Sequence, residues 1–120
     1  MTIKRPDPHR DPFELVKSIG LTMPDVEATR RYDGSPVLKA GGSFMAGIAT
    51  DESAEADTLV VRCEIEDRDL FLEDAPDIYY VTDFYAKYPL VLARLSKLDE
   101  GALRDLLSVS RKMALAKARR

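Results

Sequence analysis

Near both ends of the chain apolar positions recur with helical spacing, and between them they alternate with polar ones. Phe13, Val16 and Ile19 form the first helical stripe. Asp11-Pro12-Phe13-Glu14 opens it: a capping side chain, a proline suited to the first helical position, and an acid three residues after the cap. Gly20 is read as the helix stop, and Met23-Pro24 breaks the chain. Strand signals follow. Residues 27–32 lead to the turn Asp33-Gly34, and Pro36–Ala40 to a second turn, Gly41-Gly42. Residues 43–50 place Phe44, Ala46 and Ile48 on one face, and the acidic, Ala-rich stretch 51–57 reads as an exposed loop. Residues 58–65 alternate, with Leu59, Val61, Cys63 and Ile65 against Thr58, Val60, Arg62 and Glu64. This predicts a sheet with one buried and one wetter face.

A short helix is expected over 66–75, with Leu70, Phe71 and Leu72 inward and Pro76 as its stop. Residues 78–82 and 88–95 read as strands joined by 83–87. The last helix starts at the cap Asp99, with Leu98 and Leu103 as a hydrophobic staple. Ala102, Leu103, Leu106, Leu107, Ser110, Met113 and Ala114 keep helical spacing, and the basic end complements the helix dipole. The predicted fold class is α+β: two layers, a mostly antiparallel sheet with helices on one face, in the order α-β(3-4)-α-β(2)-α. Residues 1–10, polar and Pro-rich, read as a flexible lead-in to one domain over 11–120.

Composition narrows the class. No apolar run approaches the ~20 residues of a membrane span. The N-terminus lacks the apolar core of a secretory signal, and one cysteine cannot form an internal disulfide. The expectation is a soluble cytoplasmic protein, monomeric or weakly dimeric, without a membrane partner. Net charge is −3, which opposes binding of nucleic acid by the whole surface. The charge is uneven, however. Residues 50–77 carry eleven acids against Arg62 and Arg68, while 111–120 carry Arg111, Lys112, Lys117, Arg119 and Arg120 and no acid.

Candidate chemistry is sparse. The one histidine, His9, lies in the lead-in and the one cysteine, Cys63, on an apolar strand face, so neither a Cys/His metal site nor a nucleophile–base pair is expected. Gly41-Gly42 is a turn and lacks the pattern of a phosphate loop. Glu64, Glu66, Asp67, Asp69, Glu73 and Asp74 match no calcium loop and read as a solvated face. No catalytic residue, metal or cofactor is assigned. Basic residues on and beside the two hairpins leave nucleic acid open. Five aromatic residues fall within IYYVTDFYAKYP, residues 78–89. There Tyr79, Tyr85, Lys87 and Tyr88 either line an exposed groove for a protein or small ligand or simply close the hairpin.

Several segments resemble the MmcQ/YjbR family of small bacterial proteins. Gly20-Leu21-Thr22-Met23-Pro24-Asp25-Val26-Glu27 is similar to the family's G-L-P-G-V-E, and Lys39-Ala40-Gly41-Gly42-Ser43-Phe44-Met45-Ala46 to its V-G-G-K-x-F-A hairpin. Residues 59–64 resemble its l-x-v-K strand, with Arg62 at the lysine position. Arg68-Asp69-Leu70-Phe71 resembles its R-x-x-L, and residues 103–110 the L-x-x-L-L-x-x-S of its last helix. Where many relatives have a His and a Trp around the second hairpin, this chain has Phe84-Tyr85 and Tyr88-Pro89. The resemblance implies an α-β(3)-α-β(2)-α fold similar to secretion chaperones. It also implies DNA binding in a double-wing manner, in which sheet hairpins approach the duplex. Arg30, Arg31, Lys39, Arg62 and Arg94 are then the expected phosphate contacts. The alternative is an adaptor that binds a protein or small ligand in an aromatic groove beside the second hairpin.

Overall fold

The computed structural model describes residues 11–118; the lead-in expected over 1–10, with His9, lies outside the described residues. Six strands form one antiparallel sheet in the order β1-β2-β3-β4-β6-β5. They are β1 (Val26–Arg30), β2 (Pro36–Ala40), β3 (Ser43–Ile48), β4 (Thr58–Arg62), β5 (Tyr79–Tyr80) and β6 (Leu90–Arg94). The helices are α1 (Phe13–Gly20), α2 (Ile65–Asp74), the four-residue α3 (Asp83–Ala86) and α4 (Glu100–Ala118). The α+β class and the antiparallel sheet are as the sequence predicts. None of these helices is long and apolar enough to cross a membrane.

Helix α4 lies across the sheet. Its stripe of Leu103, Leu106, Leu107, Ser110 and Ala114 is buried against Leu38, Met45, Leu59 and Val61. The Asp99 carboxylate accepts the Ala102 N–H at 2.7 Å and caps its start. Helix α1 adds Phe13, Val16 and Ile19 to the same core, and Asp11 accepts the Phe13 N–H at 2.9 Å. Gly20 does not end α1 through a left-handed backbone, as a glycine stop would. A Cβ there would stand 2.5 Å from Leu38 Cδ1 and force that side chain to shift, so α1 packs directly on β2. Both predicted turns form. Gly34 has φ +88°, and Gly41 and Gly42 have φ +59° and +80°, a two-residue hairpin loop that needs positive φ at both positions.

A β-bulge corrects the expected faces of β3. Lys39 pairs with Phe44 but Leu38 pairs with Ala46, so Met45 is the extra residue and the parity changes there. Ala46 and Ile48 face the helices, whereas Phe44 joins a small second cluster. The buried Ser110 hydroxyl donates to the Met45 carbonyl at 2.5 Å, which fixes α4 to the bulge.

The sheet's second face is drier than its alternation implies. Val60, Leu92 and Tyr85 are buried there, with Phe44, Tyr80 and Leu90 packed around them. The 49–57 loop folds over this face because Tyr80 Oη accepts the Glu55 N–H at 2.8 Å and Tyr85 Oη accepts the Asp51 N–H at 3.1 Å. Two further expectations are corrected. Strand β4 ends at Arg62, so Ile65 begins α2 and is exposed. Helix α2 rests on the sheet through Phe71, 4.8 Å from the Tyr79 ring, which turns Leu70 outward.

Candidate nucleic-acid interface

The alternation of strand direction sets apart two ends of the sheet, each with its own group of charges. At one end lie the β1–β2 turn, the β3–β4 loop and the start of α4, carrying Asp33, Asp51, Glu52, Glu55, Asp57 and Asp99. At the other lie the Gly41-Gly42 turn, the end of β4, the start of β6 and the last turns of α4. A Cβ on Gly41 would meet Leu115 and Ala118, which places the α4 C-terminus beside that turn. This second end carries Lys39, Arg62, Lys112 and Lys117, with Glu27 opposite Lys39 and Glu64 and Asp67 beside Arg62; Lys87 stands between the two ends, within electrostatic reach of Asp51.

The structure separates the arginines and lysine expected to contact phosphates. Arg94 grips Glu55 with Nε at 3.0 Å and Nη2 at 2.8 Å, donates to the Asp77 carbonyl at 3.0 Å, and lies 4.4 Å from the Tyr80 ring centroid. The pairing holds the Glu55 carboxyl below and the Arg94 guanidinium above its ordinary pKa, in each case chiefly through their hydrogen bond. Arg31 donates to Ser35 Oγ and to the Ile48 carbonyl, both at 2.9 Å, and lies over the Phe44 ring. Gly47 makes room for it, since a Cβ there would sit 2.8 Å from Arg31 Nη2. Arg30 donates to the Gly34 carbonyl at 2.7 Å, in its own hairpin. These three side chains stitch together the acidic end. Lys39 and Arg62 stand at the other.

Arg62 lines a cleft of about 790 Å³ between the end of the sheet and α4. Tyr88, Pro89, Val109, Met113 and Ala116 form its apolar lining, and Lys112, Lys117, Glu64 and Asp67 its other charged groups. Burial lowers the pKa of Arg62 from its ordinary value. Among the described residues the ion pairs are Arg94–Glu55, Arg104–Glu100 and Arg111–Asp25. None uses Lys39, Arg62, Lys87, Lys112 or Lys117. Lys112 and Lys117 were legible in the basic run at 111–120, of which the helix dipole accounts for only a part.

The aromatic groove does not assemble from the residues expected to line it. Tyr79 and Tyr85 are buried on opposite faces of the sheet, because strand alternation sends Tyr79 to the helix side and α3 folds Tyr85 onto Val60 and Leu92. Tyr88 remains half-exposed, and its exposed neighbour is Phe84, which the sequence had left in a connection. Lys87 Nζ sits 5.1 Å from the Phe84 centroid and 5.6 Å from that of Tyr88.

Arg68 is the other residue whose role was not foreseen. Its Nη1 donates to the carbonyls of Tyr88 at 3.0 Å and Leu90 at 3.2 Å, tying α2 to the start of β6 beside the cleft. Nearby, burial and then the Asp67 charge push the Cys63 thiol up to about 12. This fully buried thiol stays protonated at neutral pH and acts as packing. In comparisons with known proteins, no family model, no curated protein and no solved structure gives a match to this chain.

Proposed function

We propose that the chain is a non-enzymatic DNA-binding protein that holds phosphates at the basic end of its sheet. The observation that carries this reading is the convergence of Arg62, Lys112 and Lys117 on one cleft with no ion pair among the described residues. A half-buried guanidinium without a carboxylate partner is stabilised by an anion, and phosphate oxygens match its fork geometry. Lys39, near the Gly41-Gly42 turn and opposite Glu27, extends the same end. The resemblance to MmcQ/YjbR proteins supports the reading, with the β2–β3 hairpin as the wing that approaches the nucleic acid. Within this reading Arg30, Arg31 and Arg94 maintain the opposite end instead of touching phosphate.

The test is anisotropy of a labelled duplex at about 20 and about 200 mM NaCl, with affinity expected to fall steeply between them. Lys112→Glu/Lys117→Glu is expected to weaken binding at least about tenfold and to lower the salt slope by about 2. Both residues are exposed, so the fold should be unaffected. Lys17→Glu/Lys97→Glu makes the same change of net charge away from this end and should leave binding near wild type. Equal loss in both variants, or no binding of either duplex or single-stranded DNA at low salt, would remove the proposal. A second reading, the protein- or small-ligand adaptor, draws on the apolar lining of the same cleft. It predicts an occupant whose affinity hardly changes with salt.

A further inference from the structure

We infer that the preferred nucleic acid is single-stranded, with bases stacking on Phe84 and Tyr88 while the basic cleft holds the phosphates; this rests on the proposed function above. Large aromatic rings at a surface are informative when they are grouped and held. Phe84 is 42% and Tyr88 44% exposed, and their ring centroids are 6.2 Å apart. The rings are inclined at 58°, so they present separate faces to successive bases instead of one flat platform. Neither is on a loose tip. Phe84 meets Tyr85 edge to face at 5.0 Å and 87°, and Tyr85 is buried and anchored to the Asp51 N–H. The Tyr88 backbone is gripped by Arg68.

The same tyrosine lines the cleft with Arg62, Lys112 and Lys117. An aromatic surface continuous with uncommitted cations fits the backbone and bases of a single strand together. A duplex offers the phosphates but keeps its bases stacked inside, out of reach of both rings. Lys87 covers both rings in the free protein, within electrostatic reach of Asp51, and a stacking base would displace it.

The experiment compares a labelled oligothymidine of about 15 nucleotides with a duplex of equal length, for wild type, Phe84→Ala/Tyr88→Ala and Phe84→Tyr/Tyr88→Phe. The single strand is expected to bind the wild type more tightly than the duplex. The alanine pair should weaken it roughly tenfold or more while leaving the duplex unchanged, and the aromatic swap should bind as wild type does. Equal affinity for both probes, undisturbed by the alanine pair, overturns this inference and leaves the proposed function standing. Binding of neither probe at low salt overturns both.

Discussion

Arg68→Met is expected to lower the unfolding free energy by about 2–3 kcal/mol, read from urea denaturation with an unchanged slope. The reason lies in the shortness of β5. Only Tyr79 and Tyr80 pair with β6, opposite Ala93 and Leu92. On this edge of β6 the even-numbered residues face β5, since the Arg94 N–H donates to the Ile78 carbonyl. Continuing that register, the Leu90 carbonyl would look to residue 82, but the chain has already turned into α3. Arg68 reaches across from α2 and supplies the missing donor, at 3.2 Å. The Tyr88 carbonyl, which it also holds, keeps a second donor in the Leu90 N–H at 2.9 Å. Methionine fills a similar volume but leaves Leu90 unsatisfied. The loss is partly offset because the buried charge disappears, including an Nε with no hydrogen-bond partner among the described residues. Arg68→Lys, with a donor retained, should recover part of the stability. A methionine variant as stable as wild type would show that Arg68 is not the edge donor.

Leu107→Ala is expected to cost about 2–5 kcal/mol. Leu107 is fully buried at the middle of α4, the one helix that spans β2, β3 and β4. Truncation leaves a cavity that the sheet cannot follow, because the Ser110 hydrogen bond to Met45 and the close approach of Gly41 to Leu115 hold the following turns of α4 against the sheet. Val109→Ala, on the exposed, cleft-lining side of the same helix, should stay within about 0.5 kcal/mol of wild type. A loss below about 1 kcal/mol for Leu107→Ala would contradict the central position of α4 in the core.

The elements legible in the sequence were those set by local chemistry. Pro36–Ala40 was bounded by glycine turns with positive φ, and α4 by the Asp99 carboxylate. What stayed hidden depends on partners distant in the chain. The Met45 bulge arises from the register of β3 against β2 and from a hydroxyl sixty-five residues away, so strict alternation misplaced Phe44. Arg68 looked like one charge on an acidic helix until the end of β5 left Leu90 unpaired. The expected phosphate contacts were chosen for being basic and near hairpins. Strand direction then divided them, with Arg30, Arg31 and Arg94 among carboxylates and carbonyls at one end and Lys39 and Arg62 at the other. In IYYVTDFYAKYP, the two-residue β5 sends Tyr79 to the helix side and Tyr80 to the other, while Ile78 and Val81 at its ends follow their nearer tyrosine instead of alternating. The four-residue helix that exposes Phe84 and buries Tyr85 was not legible, since so short a helix has too few positions to show a period.

Amide chemical-shift mapping of ¹⁵N-labelled protein, titrated at low salt with the oligothymidine, tests the central claim most directly. The predicted result is a set of shifts at residues 41–44, 62–64, 84–89 and 109–117, which reverse when salt is raised. Shifts centred on 30–36, 51–57 and Arg94, or no shifts at all, would contradict the assignment of the basic end as the nucleic-acid interface.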